Sequence, residues 1–292
     1  MAMQYILDRV LMTLQEISDA LMSHLAELMF TPLPSEADAA QQKGWVTYVP
    51  LLTPSLSHTS SPSSATEPIL KLKESRSVIS GAGTTGLRTW EAALHLASYL
   101  CNTPSARTLY TKGKHVLELG AGTGFLSILC SKHLGAAYVT STDGDEGVVD
   151  ALKENLFYNS AEDSVSAGVM RWGWGIKDSL AEFEVERYGG LDTVIGADVT
   201  YDKTVIPALV GTIRGLFERW PGVEVLISAT IRNENTFAAF EVACQRNRFV
   251  VEDIAFPVTA MSEQTCLFHA ADVPIRILRI KAPTVIRDPF AV

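Results

Sequence analysis

From about residue 86 onward, short apolar runs rich in β-branched residues alternate with stretches in which apolar residues recur every three or four positions. The first pattern predicts buried strands, and the second predicts amphipathic helices. Seven strands are predicted, at 115–119, 137–142, 165–171, 192–197, 223–229, 249–256 and 274–280. Four helices are predicted between them, at about 124–134, 145–158, 203–219 and 233–246.

The order of these elements predicts the fold class. Strands that alternate with helices are typical of a parallel sheet with crossover helices, and the first five strands fit a doubly wound sheet. The segment between the last two strands has no strong helical pattern, so the final strand is expected to enter antiparallel. The sequence therefore predicts an α/β, Rossmann-like fold with a seven-stranded, mostly parallel sheet and an antiparallel last strand.

The N-terminal part follows a different pattern. Apolar residues spaced for one helix face between residues 3 and 30 predict an amphipathic helix or helix pair. Residues 53–68 are rich in Ser, Thr and Pro and lack periodicity, which is typical of a mobile segment. We therefore expect an N-terminal helical extension at 1–52, a Ser/Thr/Pro-rich linker or loop at 53–80, and the main domain at 81–292. The pattern leaves open whether the extension is a lid or a platform for a folded partner.

Composition narrows the range of partners. The chain has 24 Lys and Arg against 33 Asp and Glu, a net charge of −9 with His neutral, and no basic cluster. Nucleic acid is therefore not expected as a partner, whereas a basic protein surface is. The four cysteines and six histidines show no metal-ligand spacing, which argues against a metal site and favours a reduced, cytoplasmic chain. Charges interrupt the apolar N-terminus, so neither secretion nor a membrane partner is expected.

The stretch VLELGAGTGF, residues 116–125, places three glycines between a predicted strand and a predicted helix. Glycine permits a tight turn there and a close approach of a ligand to the backbone. A dinucleotide fingerprint counted from Gly120 requires glycine at position 125, which is Phe125. A phosphate-binding P-loop requires a Lys after its last glycine, and Gly124 precedes Phe125 instead. The turn that contains Gly120, Ala121, Gly122 and Gly124 is predicted to bind a cofactor of another kind.

Two acids indicate which cofactor this is. Asp143 ends the second predicted strand, where a carboxylate can accept hydrogen bonds from both hydroxyls of a ribose. Glu118 precedes the glycines, where a carboxylate suits a cationic ligand and would repel a pyrophosphate. S-adenosylmethionine is a nucleoside that carries a sulfonium and an ammonium group. The sequence therefore predicts an S-adenosylmethionine site.

Five motifs, in this order, resemble the seven-strand (class I) protein-lysine methyltransferases known as methyltransferase family 16. They are TTGLRTWEAALHLASYL (84–100), VLELGAGTGFLSI (116–128), STDGDEGVVDALKENL (141–156), RWGW (171–174) and IGADVTYD (195–202). The resemblance implies transfer of a methyl group from S-adenosylmethionine to a lysine of a protein. Residues 86–93, together with the N-terminal extension, most resemble the members that act on eukaryotic elongation factor 2, which implies that substrate.

The resemblance also implies roles for three cofactor-binding residues. Trp90 would line the methionine end of the cofactor, Trp172 would lie at the adenine, and Ala197 would face the cofactor through its backbone. On periodicity alone, Trp90 would be expected in the core of its helix. Trp174 has no counterpart in the family and is interpreted as packing or as substrate surface.

The expected catalytic residues are Asp198 and Tyr201. They follow the fourth predicted strand, at the carboxyl edge where open α/β sheets bind ligands. They match the family motif Asp/Glu-x-x-Tyr/Phe, whose acid and ring are thought to hold the substrate amine beside the methyl donor. Without the resemblance, the alternative is that Asp198 caps the next helix and Tyr201 packs in the core.

Other functions stay open at this point. An NAD(P)-dependent oxidoreductase would need a Tyr-x-x-x-Lys pair, and the Tyr and Lys residues at 110–112 and 201–203 have the wrong spacing. A non-catalytic interaction module could keep the fold without using the site. A DNA or glutamine methyltransferase would favour Asn-Pro-Pro-Tyr at 198–201. We expect a monomeric protein-lysine N-methyltransferase with a protein substrate.

Overall fold

The computed structural model describes residues 18–30, 42–53, 68–75, 85–183 and 185–283. The strands in these ranges are β1 Lys43–Tyr48, β2 Leu70–Ser75, β3 His115–Leu119, β4 Tyr138–Asp143, β5 Val165–Val169, β6 Thr193–Ala197, β7 Glu224–Thr230, β8 Val250–Ile254 and β9 Ile275–Lys281. The α-helices are α1 Asp19–Phe30, α2 Glu91–Asn102, α3 Pro104–Tyr110, α4 Phe125–Lys132, α5 Glu146–Tyr158, α6 Ile176–Ser179, α7 Ile206–Arg219 and α8 Glu234–Arg246. Two 3₁₀ helices lie at Ala181–Phe183 and Val185–Tyr188.

Seven strands form the main sheet in the order β5-β4-β3-β6-β7-β9-β8. Strands β3 to β7 pair in parallel, and β9 enters antiparallel between β7 and β8. The predicted α/β fold with an antiparallel last strand is therefore confirmed. Every predicted strand and helix of this domain is present, with ends displaced by three residues or fewer.

Helices cover both faces of the sheet. Strand β3 is buried along its whole length, which explains why its sequence reads as a continuous apolar run. Its side chains alternate between faces: Val116 packs in a cluster with helices α2, α4 and α5, and Leu117 in a cluster with helices α7 and α8. The sheet and the helices on its two faces therefore form three layers, with one hydrophobic cluster on each face of the sheet.

The strand order reverses between β3 and β6. The chain proceeds from β3 to β4 and β5 on one side, and from β6 to β7 on the other. Open α/β sheets bind ligands in the crevice at such a reversal, outside the carboxyl ends of the strands. The glycine turn after β3 and the Asp198 segment after β6 both lie at this crevice.

An additional two-stranded hairpin packs against helices α4 and α5. Strands β1 and β2 pair antiparallel, from Lys43 opposite Ser75 to Tyr48 opposite Leu70. Strand β2 lies inside the segment predicted as a linker, and β1 lies inside the predicted helical extension. The missed signal in β2 is the alternation of buried Leu70 and Leu72 with more polar neighbours, which the Ser, Thr and Pro residues before it obscured.

The second edge of β2 is closed by side chains of α5. The backbone N–H of Lys71 donates to Asn159 Oδ1 at 3.0 Å, and that of Lys73 donates to Asn155 Oδ1 at 2.8 Å. The two asparagines therefore take the place of a neighbouring strand, and β2 has partners on both edges.

Helix α1 is the described part of the predicted amphipathic segment 3–30, and residues 3–17 lie outside the described residues. None of its residues is buried, and Leu28, Met29 and Phe30 are exposed. Within the part of the chain that the structure describes, no helix is both long and apolar enough to cross a membrane.

Candidate active site

A cavity of about 700 Å³ opens at the carboxyl edge of the sheet, where the strand order reverses. The loop before α2, the glycine turn after β3 and the ends of β4, β5 and β6 form its walls. Ten of the eleven predicted site residues line it, namely Trp90, Glu118, Gly120, Ala121, Gly122, Asp143, Trp172, Ala197, Asp198 and Tyr201. The fold thus brings the predicted cofactor and catalytic residues together, and their individual roles stay predictions.

The glycine turn presents bare backbone to the cavity. Gly120 has φ +68°, and a Cβ there would lie 2.8 Å from Val199 Cγ1 and 3.6 Å from Trp172 Cζ2. Gly122 has φ +54°, and its Cβ would lie 2.9 Å from the carbonyl oxygen of Gly86. Both positions combine a left-handed backbone with a close neighbour, so both require glycine. The turn is therefore a narrow cradle between Trp172 and the loop that contains Gly86.

Gly124 is the predicted site residue that does not line the cavity. It precedes α4 with φ +81°, and a Cβ there would lie 2.2 Å from Leu152 Cδ1 of α5. Its lack of a side chain therefore allows α4 and α5 to pack closely. The structure gives this glycine a packing contact and no direct place in the cofactor cradle.

Asp143 connects the glycine turn to the next helix. Its Oδ2 accepts the backbone N–H of Gly122 at 3.1 Å, and its Oδ1 accepts that of Asp145 at 3.2 Å. Asp145 in turn caps α5 by accepting the N–H of Val148 at 2.9 Å. Burial raises the pKa of Asp143. The carboxylate is thereby fixed at the cavity wall, in the position from which ribose binding is predicted.

Glu118 is a buried carboxyl that the protein itself hydrogen-bonds, and it is not an exposed acid whose only partner would be a cationic ligand. Its side chain is buried, and the hydroxyl of Ser127 donates to it and also lies 2.8 Å from Ser141 Oγ. Burial raises the pKa of Glu118 to about 8. The carboxyl is therefore mostly protonated at neutral pH, and a nearby cation would favour its ionised form.

Asp198 has an unusual backbone and a fixed side chain. Its φ is +54°, and its Oδ1 accepts the N–H of Thr230 at 2.9 Å while its Oδ2 accepts the Thr230 hydroxyl at 3.1 Å. It therefore connects the end of β6 to the end of β7. Helix α7 begins at Ile206, so the alternative in which Asp198 caps that helix is wrong.

Tyr201 lies at the cavity wall and is 62% exposed, so the alternative of a core residue is also wrong. Trp174, whose role was left open, is 64% exposed. The ring of Tyr201 is accessible to a substrate that enters from solvent.

Arg232, which was not predicted from the sequence, lies just beyond the end of β7. Its Nη2 lies 2.5 Å from Glu91 Oε2 and 3.5 Å from Asp198 Oδ2. Its guanidinium lies 4.9 Å from the centre of the Trp90 ring, and that of Arg88 lies 5.4 Å from it. The sequence feature that could have identified Arg232 is its position just after β7, because β7 ends at the same edge of the sheet as β6.

Glu74 of β2 braces the site from behind. Its carboxylate accepts the Tyr48 hydroxyl at 3.1 Å and the Thr89 hydroxyl at 2.7 Å. The Thr89 hydroxyl also lies 2.7 Å from the hydroxyl of Thr123, in the glycine turn. Burial and the charge of Glu74 raise the pKa of Tyr48 well above its usual range. The hairpin is thereby connected to the cofactor cradle through buried hydrogen bonds.

The residues present fit a nucleoside that carries a positive charge. The cavity is lined by the backbone of the glycine turn, by the aromatic ring of Trp172 and by the carboxylate of Asp143. Glu118 would be a counter-charge once a cation is near. In the described residues, no group of three or more His, Cys, Asp or Glu side chains could hold a metal ion.

Comparisons with known proteins give a family and several relatives. A family model described as lysine methyltransferase matches residues 65–245. The chain is 45% identical over 269 residues to "Protein-lysine N-methyltransferase EFM3" of Chaetomium thermophilum, which covers 91% of this chain and 76% of that protein. It is 35% identical over 189 residues to the protein of the same name in Saccharomyces cerevisiae, and the match covers 61% of this chain and 53% of that protein. It is 34% identical over 184 residues to the human "Protein-lysine N-methyltransferase EEF2KMT", and the match covers 58% of this chain and 52% of that protein. The chain thus spans about half the length of the yeast and human relatives.

Proposed function

The chain belongs to the lysine methyltransferase family, and from this membership we propose that it methylates a lysine side chain of eukaryotic elongation factor 2. The family and the fold imply a methyl donor of the S-adenosylmethionine type. The observation that carries the proposal is the meeting of Asp198 and Tyr201 with the glycine turn in one cavity. All four cysteines are free thiols, which supports a cytoplasmic location. We propose that the protein acts there as a monomer.

Positioning and exclusion of water supply most of the rate in a transfer of this kind. S-adenosylmethionine, when bound, supplies an electrophilic methyl group on a sulfonium sulfur. The residues of the chain that would hold it are the glycine turn, Asp143, Trp172, Glu118 and the backbone at Ala197. Trp90 would cover its methionine end.

Asp198 is the group that would receive the substrate amine. Its side chain is only 8% exposed and is held by hydrogen bonds from Thr230, so the carboxylate needs no rearrangement before the amine arrives. Tyr201 would pack its exposed ring against the alkyl part of the lysine. The amine must lose its proton before its nitrogen attacks, because only the neutral amine has a free electron pair.

Support for elongation factor 2 as the substrate comes from the resemblance in residues 86–93. That segment contains Gly86, which contacts the glycine turn, and Trp90, which lines the cavity. The acidic net charge of −9 also suits a substrate with a basic surface around its lysine.

The test is transfer of radiolabelled methyl groups from S-adenosylmethionine to purified elongation factor 2, with mass spectrometry to name the lysine. The wild-type chain is compared with Asp198→Asn, which keeps an oxygen for Thr230 and tolerates the left-handed backbone. We expect Asp198→Asn to lower the rate by about 100-fold or more, as for loss of an oriented polar group. Its affinity for S-adenosylhomocysteine should stay within about threefold of wild type, less than 1 kcal/mol.

The matched control is Asp150→Asn, an exposed acid on α5. It should leave both quantities unchanged. If Asp198→Asn weakens donor binding as much as transfer, Asp198 belongs to the donor site. If label enters another protein of a cytosolic extract and none enters elongation factor 2, the substrate proposal is wrong. Binding of NADH in place of S-adenosylhomocysteine would overturn the methyltransferase assignment of the site.

A further inference from the structure

Arg232 lies in a site with the chemistry of a cation receptor. Two carboxylates, those of Glu91 and Asp198, lie within 4 Å of its Nη2, and the face of Trp90 lies against its guanidinium. The Arg232 side chain is 40% exposed, and its partners Glu91 and Asp198 are 21% and 8% exposed. Arg232 and Trp90 both line the cavity. A resident cation therefore contacts the same carboxylate that is proposed to receive the substrate amine.

The contacts of Arg232 are unequal. The distance to Glu91 Oε2 is 2.5 Å, whereas the distance to Asp198 Oδ2 is 3.5 Å, at the limit of a hydrogen bond. Asp198 is also held by Thr230, independently of Arg232. An incoming amine can therefore replace the contact between Arg232 and Asp198, while Glu91 and Trp90 keep the guanidinium in the cavity.

The charges around this point bear on the protonation of the amine. A carboxylate alone would stabilise the ammonium form, which cannot attack the methyl group. A guanidinium that stays close to the bound amine opposes this effect, because a nearby positive charge disfavours the protonated, positively charged form of the amine. The charged or titratable groups that line the cavity are Arg88, Arg171, Arg232, Glu118, Asp143, Asp145, Asp198 and Tyr201, and Glu91 lies beside it. Among them, the structure pairs Arg232 directly with Asp198.

We propose that Arg232 is a positioning residue of the substrate-amine site. It holds the Asp198 carboxylate before the amine arrives, and it then favours the neutral form of the amine bound to Asp198. The proton of the amine leaves to solvent, and the neutral nitrogen forms the new bond to the methyl carbon. The bond from that carbon to sulfur would break with its electron pair left on sulfur, so a neutral thioether leaves and the methylated nitrogen carries the positive charge. The inference rests on the proposed function in taking the substrate to be a primary amine, whichever protein carries it.

The test uses n-butylamine, which has the length and charge of a lysine side chain. The full chain, saturated with S-adenosylhomocysteine, is titrated calorimetrically with n-butylamine at about pH 9, in two buffers of different ionisation enthalpy. Free alkylamines are mostly protonated at this pH, since their pKa is near that of lysine, about 10.4. The difference between the two heats gives the number of protons released for each amine bound.

We expect the wild-type chain to release a proton on binding and Arg232→Met to reduce the neutral fraction of bound amine about tenfold or more. Arg232→Lys keeps the charge and should restore the release. The matched control is Arg88→Met, which removes the other guanidinium over Trp90 and should leave proton release as in wild type. An unchanged far-UV circular dichroism spectrum shows that each variant is folded.

Equal proton release by wild type and Arg232→Met would overturn the proposal, as would an equal loss in Arg88→Met. Failure of the wild-type chain to bind n-butylamine would overturn it too. The titration does not involve elongation factor 2. A normal result here with no transfer to that protein would therefore refute the substrate and leave the role of Arg232 intact.

Discussion

At Asp198, a backbone with φ +54° holds a carboxylate at the cavity wall. A residue other than glycine adopts such a conformation at a cost of about 1–3 kcal/mol, and it persists where surrounding contacts fix it. Two hydrogen bonds from Thr230 supply these contacts. Strained backbone of this kind is concentrated at ligand and catalytic sites, which agrees with the role proposed for Asp198.

A second residue-scale prediction concerns the cofactor cradle. Gly113→Ala should cost about 1–2 kcal/mol of unfolding free energy because of its positive φ, and Gly122→Ala should cost more, because its Cβ would also meet a backbone oxygen. Only Gly122→Ala should weaken S-adenosylhomocysteine binding, by about tenfold or more. The reason is that its Cβ would meet the Gly86 carbonyl, whereas a Cβ at Gly113 has nothing within 4 Å. Calorimetric affinities and urea denaturation measure the two effects. Similar losses of affinity in both variants would contradict this account of the turn.

Glu118 makes stability depend on pH. Between its ordinary pKa of 4.5 and its raised pKa of about 8, the folded chain holds a proton that the unfolded chain releases. A rise in pH across this window therefore lowers the free energy of unfolding, by at most about 1.4 kcal/mol for each pH unit. Below pH 4.5 this contribution is fully present, and above about pH 8 it is lost.

Glu118→Gln should remove this dependence, because the amide cannot ionise and can still accept from Ser127. Melting temperatures measured from pH 5 to pH 9 should fall less steeply in the variant than in wild type. The exposed Glu162 provides the control, since Glu162→Gln should keep the wild-type slope. Parallel curves for wild type and Glu118→Gln would mean that Glu118 titrates normally in the folded chain.

At the scale of elements, the hairpin of β1 and β2 supports the cofactor cradle. The hydroxyl of Thr89 lies between Glu74 of β2 and Thr123 of the glycine turn. On the other side, the side chain of Asn155 donates to the carbonyl oxygen of Thr123 at 2.9 Å. The turn is therefore fixed from the hairpin and from α5, outside the strands that define its position in the sheet.

Thr89→Val tests this connection. It removes the hydroxyl and keeps the shape of the side chain, so Glu74 and Thr123 each lose a buried partner at a cost of about 1–3 kcal/mol. We expect a lower midpoint of urea denaturation and weaker binding of S-adenosylhomocysteine. Thr108→Val, on the exposed surface of α3, should change neither. Loss of stability without loss of affinity would restrict the contact to a structural role.

What the sequence could and could not predict depends on the range of the contacts. Strand β3 was predictable because its apolar run and the glycines that follow are local signals, and Asp198 and Tyr201 were found through a four-residue motif. Arg232 was missed because its position after β7 is only a weak signal, and its contact with Asp198 arises only when β6 and β7 lie side by side. Glu74 was missed because its partners Tyr48, Thr89 and Thr123 come from distant parts of the chain.

At the scale of the whole molecule, the net charge of −9 sets the conditions for substrate capture. Attraction between an acidic enzyme and a basic surface is screened by salt over a Debye length of about 10 Å at 0.1 M. Raising ionic strength from about 0.05 M to 0.3 M should therefore increase KM for the proposed substrate, elongation factor 2, by about threefold or more. The kcat and the affinity for S-adenosylhomocysteine should change little, since both depend on the cavity. A KM that falls with salt would mean that the recognised surface is acidic or apolar.

The two asparagines that close one edge of β2 have a consequence for shortened forms of the protein. The matching family model begins at residue 65, so a chain cut there would keep β2 and lose β1. Asn155 and Asn159 would still cover one edge, but the backbone groups of Leu70 to Ser75 that now pair with β1 would face solvent. An open strand edge is a template for pairing with another chain. Such a fragment would self-associate edge to edge. Size-exclusion chromatography would show this as a larger apparent mass, although the missing strand β1 lies outside the active site.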